Sequence, residues 1–137
     1  MITLTVTSCI YPAFTKATGS LNQMITFRFF QSPDDEKPSK FDILDVTLQE
    51  RSIDAQWVTI WDLNGKACLS EVVYGSKYQG LNEIIPAKPL KQHGKYRLLI
   101  SGTTWPKPGL GEAGIDFFFD EEGKLIQSGT RVRTPEQ

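Results

Sequence analysis

A single histidine, His93, limits the acid–base chemistry available to this chain near neutral pH. It stands in Lys91-Gln92-His93-Gly94, directly ahead of a strand pattern, where an exposed turn residue is expected. No nucleophile-elbow pattern accompanies it, and one histidine with two separated cysteines offers no zinc-ligand spacing. Carboxylates are the other candidates. Asp116 and Asp120 fall on one face by the period of two, and such a pair could hydrolyse a glycoside across a cleft. The plainer expectation makes them the solvent-facing residues of an edge strand, opposite Phe117 and Phe119. Asp34-Asp35 and Glu121-Glu122 belong to loops and turns. The group Asp120, Glu121 and Glu122 lacks the spaced Asp/Asn pattern of a calcium loop. The sequence therefore predicts no catalytic residue, no metal and no cofactor, and a chain that is not an enzyme.

Tryptophans argue for binding instead. Trp57 and Trp61 are four apart in an extended pattern, which predicts one shared face with Thr59 between them. Exposed, that face would be a flat platform for a sugar or a protein hot spot. Both faces of the run are apolar, however, which is the pattern of a central strand, so a core position is favoured for the pair. Trp105 lies in Thr104-Trp105-Pro106-Lys107-Pro108-Gly109, where a ring either plugs the end of a sandwich or meets a partner. Trp57, Trp61 and Trp105 are the candidate ligand-binding residues.

The elements that must position these rings are strands. The chain of 137 residues suits one domain, 1–137, able to bury a core unaided. Its net charge is −1 with scattered Lys and Arg, so no basic footprint for nucleic acid is present. No apolar run reaches the roughly 20 residues of a membrane span. Alternation marks Ile2–Thr7, then Ile25, Phe27 and Phe29, then Phe41–Gln49 with a slip of phase near Leu44 that a bulge could absorb. Asn64-Gly65, between Gln56–Leu63 and Lys66–Tyr74, predicts a type I′ hairpin turn. Leu81–Ile85 ends at Pro86; Tyr96, Leu98 and Ile100 form a stripe; Gly102–Gly114 reads as a long loop; Ile115–Asp120 and Lys124–Gln127 flank a Gly123 turn. Residues 128–137 read as a frayed tail. No helical apolar periodicity occurs. The prediction is an all-β, antiparallel two-sheet sandwich of seven to nine strands.

Two resemblances follow from these residues. Leu90-x-x-x-Gly94-x-Tyr96-x-Leu98-x-Ile100 resembles the tyrosine corner of immunoglobulin-like and fibronectin-like sandwiches, where a Tyr hydroxyl turns back onto upstream backbone. Val58-x-Ile60-x-Asp62-x-Asn64-Gly65-Lys66 is similar to a hairpin found in bacterial members of that architecture. The antibody-type Cys…Trp…Cys spacing is absent, so the resemblance implies a fold and no activity. Val6-Thr7-Ser8-Cys9 is similar to a bacterial lipobox, which implies lipidation of Cys9 and residues 1–9 as the remnant of a signal, although Met1–Thr5 supplies no basic start or long apolar stretch. Alternatively Cys9 is a buried strand thiol, or it pairs with Cys68 in an oxidising compartment. Cys68 by itself reads as a core thiol. The resulting expectation is an extracytoplasmic module of the bacterial periplasm or envelope that binds another protein, with membrane contact only through a lipid anchor at Cys9. The alternative is a carbohydrate-binding module using exposed Trp and Tyr.

Overall fold

The computed structural model describes residues 14–103 and 110–133. The expectations placed on Ile2–Thr7, Cys9 and Trp105 lie outside those residues. Among the described residues there is no helix, and nine antiparallel strands form two sheets. The smaller sheet orders β1 (Phe14–Thr18), β2 (Thr26–Phe30) and β5 (Glu71–Val73) side by side. The larger sheet runs β6 (Leu81–Ile85), β4 (Trp57–Leu69), β3 (Phe41–Arg51), β7 (Lys95–Thr103), β8 (Leu110–Phe119) and β9 (Leu125–Arg133). The all-β, two-sheet architecture expected from the alternation is therefore present.

The stripes bury themselves as their periods dictate. Ile25, Phe27 and Phe29 from the small sheet meet Tyr96, Leu98, Ile100, Ile115 and Phe117 from the large one, and all are buried. Phe27 lies 5.7 Å from Phe117, whose ring stacks on Tyr96 at 5.4 Å. Each such aromatic contributes about 1.5–3 kcal/mol by leaving water. The sheets are tied together at both sides. The chain leaves β4 at Ser70 and enters β5, so one continuous extended run serves both sheets. On the opposite side, Gln127 of β9 uses its side-chain amide as a strand substitute. Its Oε1 accepts from Ala17 N–H at 3.2 Å and its Nε2 donates to Thr15 carbonyl at 3.3 Å, closing the outer edge of β1.

Several expectations need correction. Asn64-Gly65 is no hairpin turn: both residues lie inside the 13-residue β4. The local turn preference loses to pairing on both sides, with Asn64 opposite Asp45 on β3 and Asn82 on β6. Gly65, at φ 150°, is required there because a Cβ would collide with the Gly80 carbonyl of the adjoining chain. The hairpin is made instead by β3 and β4 through residues 52–56. The phase slip near Leu44 is present as a bulge: Ile43 faces Gly102 and Asp45 faces Ser101, leaving Leu44 extra. The loop expected over Gly102–Gly114 is shorter, since β7 extends to Thr103 and β8 begins at Leu110. The tail expected from Ser128 continues as β9 to Arg133, because β8 supplies pairing that the sequence pattern does not advertise. Cys68 is exposed on β4 and disulfide-bonded, so it is no core thiol; the chain's other cysteine is Cys9.

Tyr96 fixes the connection entering β7. Its hydroxyl accepts the Lys91 backbone N–H at 2.6 Å and donates to Glu50 Oε2 at 2.9 Å. Gly94 lets the ring pass, since a Cβ there would strike the hydroxyl. Burial pushes this phenol's pKa far up, with the Lys91 backbone bond opposing and Glu50 reinforcing the shift, so it stays a donor. Tyr96→Phe removes both bonds and leaves the Lys91 N–H and the Glu50 carboxylate short of a partner. Urea denaturation of this variant is expected to show a loss of about 1–3 kcal/mol with an unchanged m value. An unchanged midpoint would show that the corner carries no energy.

Candidate functional site

The large sheet has two faces and only one of them is covered by the small sheet. Which side chains reach the open face is decided by the β3–β4 register. From Arg51/Trp57 through Glu50/Val58 to Gln49/Thr59 the strands pair one to one. Leu48 then faces Trp61, so Ile60 is an extra residue. Side chains on either side of a bulge lose their common phase. Ile60 and Trp61 consequently both turn inward, at 4% and 0% exposure, while Trp57 stays on the open face, half-buried. The expectation that Trp57 and Trp61 share a face is thus overturned. Trp61 packs edge-on against Tyr74 at 5.0 Å with its indole N–H unpartnered in the core. The Tyr74 hydroxyl, pushed up to about 12 by burial, donates to the Lys88 carbonyl at 2.5 Å.

Trp57 has company on the open face. Arg97, from β7, places its guanidinium 4.1 Å from the centre of the indole ring, and Arg51 lies 5.9 Å away. Asp116, from β8, holds Arg97 by two oxygens, at 3.0 and 3.4 Å. The register explains the meeting, because Arg97 is directly opposite Asp116 across the β7–β8 pair. Asp116 is therefore the partner of an arginine in the interior of the sheet, since β8 lies between β7 and β9 and forms no edge. Phe118 continues the patch opposite Lys95, and at 39% exposure it is among the more exposed large apolar residues.

A second feature lies at the end of the sandwich. Two adjoining depressions of about 680 and 470 Å³ share Glu50, Ser52 and Lys91. The larger is lined by the 52–54 turn and by Lys91-Gln92-His93-Gly94; the smaller by Val58, Ile60, Pro89 and Leu90. His93 is exposed there, as a turn residue should be, and pairs with no carboxylate among the described residues. Glu50 is occupied by Tyr96 and by Lys91, 3.7 Å away. Asp54 accepts from Ser52 Oγ, which lowers its pKa. Asp120 serves its own turn, accepting from the N–H groups of Glu122 and Lys124 at 2.9 Å each. Among the described residues no three His, Cys, Asp or Glu side chains gather as metal ligands.

The 52–54 turn presents Ile53 fully to solvent. Ser52 organises it, accepting the Ala55 N–H at its carbonyl (3.0 Å) and the Gln56 N–H at its hydroxyl (3.2 Å). Ala55 closes the turn at φ 64°, the one non-glycine at positive φ among the described residues. A side chain there strains the backbone by roughly 1–2 kcal/mol, partly offset by the freedom a glycine loses on folding. Ala55→Gly is accordingly expected to raise stability by about 0.5–1 kcal/mol in thermal melts; an equal or lower Tm would show that the turn is unstrained.

Of the residues singled out from sequence, the structure puts Trp57 at the surface and Trp61 in the core. Arg97, which completes the patch, was not legible as a site residue, although it occupies an outward position between Tyr96 and Leu98. No protein-family model, curated protein or solved structure matches this chain.

Proposed function

We propose that this chain is a non-catalytic module that binds another protein in an oxidising, extracytoplasmic compartment, through the open face of its larger sheet. The observation that carries the reading is the guanidinium of Arg97 lying over Trp57 and held there by Asp116. Trp and Arg are the residue types that dominate interface energetics, and here both are fixed in place before any partner arrives. Preorganisation lowers the ordering cost of association. Phe118 supplies adjoining apolar area, and Arg51 and Lys95 give the patch a cationic border. The disulfide at Cys68 supports the compartment, since such bonds are rare where thiols are kept reduced. A bacterial periplasm or envelope is one such place, though not by way of the lipobox resemblance, because a Cys9 bridged to Cys68 cannot also be acylated.

The sugar-binding alternative has less behind it. A sugar platform needs bare, coplanar rings, whereas Trp61 is in the core and one face of Trp57 is covered by Arg97.

Photo-crosslinking tests the proposal in cells that make the protein. With p-benzoylphenylalanine in place of Phe118, a discrete adduct is expected, and it should disappear when Arg97→Ala is added. The same reporter at Met24, which is 68% exposed and lies away from the patch, should give none. Equal adducts at both positions, or none at either, would contradict the assignment.

A further inference from the structure

The open edge of β4 beside Trp57 gives the binding reading a mode. Ser52 N–H donates to the Gln56 carbonyl at 2.7 Å, which makes that opposing pair a hydrogen-bonded one. By antiparallel alternation Glu50/Val58 is bonded too, while Arg51/Trp57 and Gln49/Thr59 are not. The N–H and C=O of Trp57 and Thr59 therefore point away from β3, toward the other edge of β4. There β6 reaches only from Asp62 to Gly65. Beyond it the chain passes through Pro86-Ala87-Lys88-Pro89 and makes one backbone bond to β4, Lys88 N–H to the Ile60 carbonyl at 3.3 Å. Prolines cannot donate, and the segment stands off, leaving the depression of about 470 Å³ beside Val58. Two residues of strand edge thus have no hydrogen-bond partner among the described residues.

We infer that this edge receives an extended segment of the partner protein as an added strand, an inference that rests on the protein-binding reading above. The main chain of the segment would pair with Trp57 and Thr59. Its inward side chains would be apolar, because Val58, Ile60, Pro89 and Leu90 form the apolar part of the depression they enter, whose rim carries Glu50, Ser52, Lys88 and Lys91. Its outward side chains would be acidic. Arg51, Lys88 and Lys91 border the edge against two carboxylates, Glu50, engaged with Lys91 and Tyr96, and Asp54, engaged with Ser52.

The probe is an octapeptide alternating valine with glutamate, titrated into the isotopically labelled chain and followed by amide NMR. Saturable shifts are expected at the Trp57 and Thr59 amides, with exchange at those two amides slowed about tenfold near ninety per cent occupancy. The fully N-methylated peptide should produce neither effect. Shifts confined to Arg97, Asp116 and Phe118 would overturn strand addition while leaving the proposed binding face standing. Unchanged amides at millimolar peptide, or equal binding of the N-methylated form, would also overturn it. So would slow exchange at both amides in the peptide-free chain, growing with protein concentration as sedimentation reveals a dimer; a second copy would then occupy the edge. Loss of the Phe118 crosslink with the peptide result intact would contradict the proposed face alone.

Discussion

One extra residue in one strand decides the character of this molecule's open surface. Opposite Leu48, β4 spends two residues, Ile60 and Trp61, where its partner spends one. A strand's side chains alternate strictly, so a single insertion reverses every side chain on one side of it relative to the other. Without the bulge, placing Trp61 in the core would turn Trp57 inward as well and leave Arg97 facing no indole. With it, Trp61 is fully buried and Trp57 stands on the outer face within reach of Arg97. The bulge also brings Val58 inward at the sandwich end, where the core gives out and the side chain is 47% exposed. Platform and open edge thus share an origin in a register choice between β3 and β4.

The rest of the fold holds that register in place. Tyr96 ties the connection entering β7 to Glu50, the residue paired with Val58 just beyond the bulge. Leu48, Leu98 and Ile115 continue one another across β3, β7 and β8 on the buried side, and Gln49, Arg97 and Asp116 do so on the open side. A slip of one residue would carry the first set into water and the second into the core, where an arginine–carboxylate pair would have to be desolvated. The apolar stripe and the ion pair therefore enforce the same alignment from opposite faces.

What could be read from the sequence was whatever the chain decides locally. Ile25, Phe27 and Phe29, the stripe Tyr96, Leu98, Ile100, and the corner from Leu90 to Tyr96 each need only their own neighbours to declare their role, and each is in place. The slip at Leu44 was visible because it interrupts an alternating pattern. The bulge at Ile60 was hidden, because Val58, Ile60 and Trp61 make the run apolar on both sides and no phase error shows. Asn64-Gly65 misled for the opposite reason. Its local turn preference is strong, but β3 and β6 pair across it, and the close approach of Gly80 gives Gly65 a different purpose. The Arg97–Asp116 pair depends on the β7–β8 register, whose centre falls in the Gly/Pro stretch around Pro106; neither residue has a local feature that announces the other.

The most direct test of this account is the solvent access of the two indoles, separated by the bulge. In variants keeping only Trp57 or only Trp61 of the three tryptophans, with phenylalanine at the other positions, acrylamide quenching should be strong for Trp57. It should be weak for Trp61, whose emission should also be the bluer of the two, as a fully buried ring requires. Equal quenching of both would mean that the rings share an environment, that β3 and β4 pair without the extra residue, and that the open-face platform does not exist.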